Sequence, residues 1–113
     1  MENIPSISDA ESLSRRVARA DPPTVVVFYG EECEDSRDLA PDISRLAEIY
    51  FDRLHFVRVD VQRCAPIRYR YDIDRTPTVI LFQDGLPIDR LEVELNVDVY
   101  RDSFESMLCH QDA

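Results

Sequence analysis

Cys33 is the residue of this chain best placed to do chemistry. It follows an apolar run, Thr24 to Tyr29, and a short turn, Gly30-Glu31-Glu32, and it stands just ahead of Glu34, where a helical pattern begins. A buried strand that delivers a cysteine to a helix start sets the thiol beside free backbone N–H groups and the positive end of the helix dipole, and both stabilise a thiolate. The chemistry open to such a group is thiol–disulfide exchange, in which the thiolate attacks a disulfide sulfur and forms a mixed disulfide. Ser36 lies one helical turn further on. Its hydroxyl can donate a hydrogen bond to the thiolate, or it can simply satisfy a backbone N–H of the first turn. Glu31, Glu32, Glu34 and Asp35 surround Cys33, with Arg37 the nearby cation. Each carboxylate disfavours a second negative charge, so the acidity of Cys33 is a contest between the helix start and its acidic neighbours.

Three kinds of element have to position that turn. Ile4 to Ile7 reads as a short edge strand limited by Pro5. Ser8-Asp9-Ala10-Glu11 reads as a capping box, and Ala10, Leu13, Val17 and Ala20 then share one helical face until Asp21-Pro22-Pro23 stops it. Thr24 to Tyr29 shows no alternation, the pattern of a strand covered on both faces. From Glu34 a long helix carries Leu39, Ile43, Leu46, Ala47 and Tyr50 on one stripe, with Pro41 inside it as an expected kink. Leu54 to Val61 alternates as a strand, and Gln62 to Tyr71 is a connector with a short helix. Thr76 to Phe82 is a strand opened by Pro77. Asp84-Gly85 is a two-residue hairpin signal that returns the chain along Leu86 to Leu95, an edge strand with Pro87 and one wet face. Val97, Tyr100, Phe104, Met107 and Leu108 make an amphipathic final helix. The order β-α-β-α-β-α-β-β-α, with short right-handed connections, predicts an α/β fold: one central mixed sheet of about five strands flanked by about four helices.

Composition narrows the function. A chain of 113 residues is expected to form a single domain over 1–113, and 44% hydrophobic with 32% charged residues fits a folded protein. The net charge of −10 and the scatter of the arginines argue against nucleic-acid or anionic-membrane binding and favour basic partners. All basic side chains are arginine, which bears on no chemistry here. The absence of a long apolar run and of a leader pattern at Met1 to Pro5 points to the cytoplasm. Cys33, Cys64 and Cys109 are odd in number and widely spaced, which suits a reducing compartment rather than a disulfide framework. Together with His55 and His110 they also lack the paired spacing of a zinc site. Cys64 and Cys109 read as structural thiols, with regulatory or intermolecular pairing as the functional option.

The segment Phe28, Tyr29, Gly30, Glu31, Cys33, Arg37 and Pro41 resembles the active-site stretch of the thioredoxin family. The likeness runs on through Val59-Asp60-Val61, Cys64, Tyr71, Ile73, Thr76-Pro77-Thr78 and Asp84-Gly85, nearly the whole chain. Ser36 stands where the family has its second cysteine, Glu32 where it has a tryptophan, Val27 where it has a buried aspartate, and about Val93 where it has a glycine. Glutaredoxins share the Cys-X-X-Ser spacing, but their glycine-phenylalanine between the two and their paired glycines before the last helix are missing. The resemblance implies a thioredoxin fold with a cis-proline at Pro77, and a client peptide laid beside Thr76 as an added strand. It implies Cys33 and Ser36 as the catalytic pair, with Tyr29, Glu32, Arg37, Thr76 and Pro77 on the client surface.

With no sulfur at position 36, a Cys33 adduct has to be resolved by an outside thiol, such as glutathione acting as a co-substrate, or by a second client cysteine. No bound cofactor or metal is expected. The expected function is thiol–disulfide exchange in cell redox homeostasis, as a monothiol protein-disulfide oxidoreductase. Its client is a protein with a basic or thiol-bearing segment, and the chain is a monomer or weak dimer. The alternative is a non-catalytic protein-binding module that uses the acidic face around Cys33.

Overall fold

The computed structural model describes residues 1–19 and 21–111, with side chains as far as 109. Ala20, expected on the first helical face, and the side chain of His110 lie outside them. The order is α1 (Ala10–Val17), β1 (Thr24–Tyr29), α2 (Glu34–Ile49), β2 (His55–Asp60), α3 (Ala65–Arg70), β3 (Thr78–Gln83), β4 (Leu86–Glu92) and α4 (Val97–Gln111). The strands form one sheet in the order β2-β1-β3-β4. β2 runs parallel to β1, with Val27 opposite Arg58, while β3 is antiparallel to both β1 and β4.

Period-two side-chain alternation divides the core between the two faces of the sheet. Val25 and Val27 of β1, with Val79 and Leu81 of β3 and Phe56 of β2, pack against α2 and α4 through Leu39, Ile43, Leu46, Tyr100 and Phe104. Val26 and Phe28, with Val57, Val59, Ile80 and Phe82, face α1 and α3 through Leu13, Val17 and Ile67. Every residue of β1 is buried, as its unbroken apolar run requires. Phe104 is the aromatic hub of the first face, edge-on to Tyr50 at 5.4 Å and to Phe56 at 5.7 Å between ring centres.

The sheet has four strands where the sequence predicts about five. The Ile4 to Ile7 segment keeps a single parallel bridge, Ser6 to Arg58. Arg58 N–H donates to the Pro5 carbonyl and Ile7 N–H to the Arg58 carbonyl, but Pro5 has no N–H with which to extend the ladder. Ile4 and Ile7 are nonetheless buried. The first helix is capped by Asp9 rather than Ser8: the Asp9 carboxylate accepts from the Ser12 N–H at 2.8 Å, and Glu11 pairs with Arg15 instead of reaching back. A carboxylate is the stronger acceptor for a helix N–H, which moves the start by one residue. α2 continues through the exposed Pro41. β4 ends at Glu92, short of the expected Leu95, because Val93 has φ +52° and leaves the extended region.

Candidate active site

Cys33 occupies the N-cap of α2 with extended backbone (φ −80°, ψ 119°), and its thiol is partly exposed. The position follows from the strand before it. β1 is pinned on both edges and on both faces, so the chain leaves the sheet at Gly30 in a fixed direction. A Cβ at Gly30 would press on the end of the Gln62 side chain at 3.3 Å and touch the Cys33 Cβ at 3.5 Å, so the turn packs closely against both. The Cys33 N–H donates back to the Gly30 carbonyl at 3.1 Å, and the Cys33 carbonyl accepts from Arg37 N–H as α2 begins.

The opposite wall of the site comes from the segment ahead of β3. The Thr76–Pro77 peptide bond is cis, and the Cys33 Sγ–H donates to the Thr76 carbonyl at 3.3 Å. Thr76 is half-buried, and Pro77 beneath it is buried. The Pro77 carbonyl accepts from the Val93 N–H at 2.7 Å, which locks this segment to the end of β4.

Ser36 is 4% exposed, and its Oγ accepts the Gly30 N–H at 3.3 Å. That contact leaves the hydroxyl hydrogen free for the sulfur of Cys33. Ionisation of Cys33 gives up the donation to the Thr76 carbonyl. It gains hydrogen bonds from the side chains of Thr76 and then Ser36, and from the N–H groups of Ser36 and Asp35. These gains outweigh the opposing cost of partial burial and hold the Cys33 pKa below that of an ordinary cysteine. No carboxylate ranks among the larger influences. Glu31, Glu32 and Glu34 are exposed, and Glu31 turns away to an exposed pair with Arg63 at 3.2 Å.

Of the residues singled out in the sequence, Cys33, Ser36 and Thr76 meet, with Pro77 next in the chain. Glu32 and Arg37 are exposed on either side of Cys33 in sequence. Tyr29 is only 7% exposed, and its hydroxyl accepts from Arg58 at 2.8 Å. Arg58 escaped the sequence reading: half-buried on β2, it also donates to the Ile4 carbonyl at 2.8 Å and lies over the Tyr29 ring. An arginine on the polar phase of an alternating strand was the available signal. Behind the turn lies a small cavity of about 220 Å³, with Gly30, Ser36, Ala40 and Arg58 among its walls. Val27, 1% exposed, is ordinary core.

Cys33, Cys64 and Cys109 are all free thiols, with Cys64 buried and Cys109 exposed. Among the described residues, no group of three or more His, Cys, Asp or Glu side chains is arranged to hold a metal ion, and no helix is long and apolar enough to cross a membrane.

The chain is similar to known proteins in sequence and in fold. The chain is similar to Thioredoxin Asp f 28 of Aspergillus fumigatus, 31% identical over 85 residues that cover 75% of this chain and 78% of that protein. It is also similar to Thioredoxin Y1, chloroplastic, of Arabidopsis thaliana, 30% identical over 82 residues, 73% of this chain and 48% of that protein. The chain thus spans about half the length of that chloroplastic relative. Among solved structures, mitochondrial thioredoxin 3 of Saccharomyces cerevisiae in its oxidised form superposes with a TM-score of 0.82 at 20% identity, covering 93% of this chain and 96% of that one. Fasciola hepatica thioredoxin does so with a TM-score of 0.83 at 23% identity, covering 91% and 98%. These two likenesses concern the fold. The thioredoxin family model matches residues 5–105, from the bridge ahead of α1 to the body of α4, and the chain belongs to the thioredoxin family.

Proposed function

We propose that this chain performs thiol–disulfide exchange through one cysteine, Cys33, with Ser36 and Thr76 as its hydrogen-bonding neighbours. The observation that carries the reading is the partly exposed Cys33 thiol at the start of α2, held beside Thr76 and the buried Ser36 and shifted towards the thiolate. The thiolate attacks one sulfur of a client disulfide. The S–S bond breaks, its electron pair leaves on the second sulfur as a thiolate, and Cys33 is left in a mixed disulfide. Ser36 has no sulfur with which to continue. A thiol from outside, glutathione or a second client cysteine, attacks the mixed disulfide, releases Cys33 as thiolate, and is itself oxidised in the process.

The client lies extended against Thr76 and Pro77, flanked by Glu32 and Arg37, and the negative charge of the chain selects a basic, thiol-bearing segment. Residues 1–113 act as one domain, a monomer or weak dimer that needs no bound cofactor. Three free thiols suit a reducing compartment such as the cytoplasm.

The deciding experiment is the rate of Cys33 alkylation against pH in a Cys64→Ser, Cys109→Ser background. A midpoint below about 8.5, the value of a free cysteine, is expected, followed by turnover of a glutathione mixed disulfide that Cys33→Ser abolishes. A midpoint at or above that value would instead favour a non-catalytic module that binds partners through its acidic face.

A further inference from the structure

We propose that the groove between the Ser6 to Asp9 segment and α1 binds the phosphate group of a small molecule, at a site separate from Cys33. The groove encloses about 470 Å³ and is lined by Ser6, Ser8, Ser12, Arg15, Arg16 and Arg19. Spacings of three and four place Ser12, Arg15 and Arg16 on one side of α1, Leu13 and Val17 fix the other side in the core, and Arg19 lines the groove from just beyond the helix end. Three guanidinium groups and three hydroxyls therefore face one space. Planar guanidinium forks match phosphate oxygens in pairs, and the volume holds more than one phosphate group.

The acidic neighbours offset only part of the positive charge there: Asp9 lines the groove while capping the helix through the Ser12 N–H, and Glu11 pairs with Arg15, which leaves the excess on Arg16 and Arg19. Among the described residues, neither Arg16 nor Arg19 has a carboxylate partner. Arg16 instead places its NH1 2.5 Å from His55 Nε2, a contact that requires a neutral imidazole accepting the hydrogen bond. Burial first, then the charges of Arg16 and Arg19, push the His55 pKa down. The excess of positive charge suits an anion, and the density of donors favours a phosphate over a lone carboxylate.

The test uses the full chain, isotopically labelled, titrated with inorganic phosphate, pyrophosphate and adenosine diphosphate at constant ionic strength. Saturable shifts are expected in the amide signals of Ser8, Ser12 and Arg16, with pyrophosphate at least tenfold tighter than phosphate. The His55 pKa should rise on saturation, because the bound anion offsets the field of the two arginines. Adenosine diphosphate binding tighter than pyrophosphate would assign the ligand as a nucleotide, and equal binding would assign recognition to the phosphates alone. Arg19→Gln, at an exposed position, should weaken binding at least fivefold with the thermal midpoint and the Cys33 alkylation rate unchanged. Arg16→Gln should weaken it further. Shifts no larger than those caused by sodium chloride, equal affinity in Arg19→Gln, or shifts confined to the start of α2 would overturn the site. Because none of these readouts depends on exchange by Cys33, failure here and failure of the redox reading are distinguishable.

Discussion

Ser36 has one hydroxyl and two neighbours that can use it. A first-turn serine either serves the backbone or serves the thiol, and its spacing allows both. The structure shows the first, with Oγ accepting from the Gly30 N–H, and leaves the hydroxyl hydrogen available for the second. Ser36→Ala should therefore have two separable effects. A hydrogen bond worth about 1 kcal/mol corresponds to about 0.7 of a pH unit. The Cys33 alkylation midpoint should rise by that amount, and the rate at neutral pH should fall about fivefold. The Gly30 N–H meanwhile loses its acceptor, which costs about 1–3 kcal/mol and lowers the melting temperature. A variant that melts earlier but alkylates at the parental rate would show that Ser36 serves the backbone alone. The sign with pH follows from the direction of the shift. The Cys33 pKa is lower folded than unfolded, so its ionisation stabilises the fold fully above the unfolded value, and that share fades as pH falls through the folded one. The acidic residues around Cys33 were easy to count in the sequence and hard to weigh. Their effect depends on exposure, and charges in water act weakly.

At the scale of elements, most boundaries were legible because the signals are local. The unbroken apolar run of β1, the stripe of α2, the alternation of β2 and the Asp84-Gly85 turn each carry their own periodicity or turn chemistry. What stayed hidden depended on competition between neighbours. Ser8 reads as the cap of its box with Glu11, yet it is Asp9, the next residue, that accepts the Ser12 N–H. Asp84 and Gly85 both have positive φ, as the expected hairpin turn requires. The end of β4 was misjudged for a different reason. Val93 continues the alternation of Leu91 and Leu95, yet its φ of +52° breaks the strand. A β-branched residue in this region costs roughly 1–2 kcal/mol, whereas the extra backbone entropy of glycine costs roughly 0.5–1 kcal/mol. Val93→Gly should accordingly stabilise the protein by about 0.5 kcal/mol and raise its melting temperature by about 2–4 °C. A fall in melting temperature would mean that packing of the half-buried valine, beside the backbone bond to Pro77, outweighs the strain.

The whole molecule carries an electrostatic imbalance that its individual ion pairs do not remove. Pairs such as Arg15–Glu11 and Arg63–Glu31 are exposed at both ends and contribute little, so the net charge of −10 acts across the surface as a field. Near Cys33 that field is carried by Glu32 and Glu34, its neighbours in the chain, which the fold leaves in solvent. Their influence on the thiol itself is outweighed by hydrogen bonds, but a client arriving from solution meets them first. Disulfide-bearing peptides flanked by arginines should therefore form the mixed disulfide with Cys33 about tenfold faster than peptides flanked by glutamates at low salt. The advantage should shrink as ionic strength rises and the screening length falls to about 10 Å at 0.1 M. Alkylation by a neutral reagent supplies the control, since it reports thiolate content without steering and should change little with salt. If both peptides react at the same rate at low salt, the acidic surface selects nothing. If the preference persists undiminished at high salt, selection lies in contacts within the Thr76–Pro77 groove, which screening leaves largely intact, and not in the long-range field.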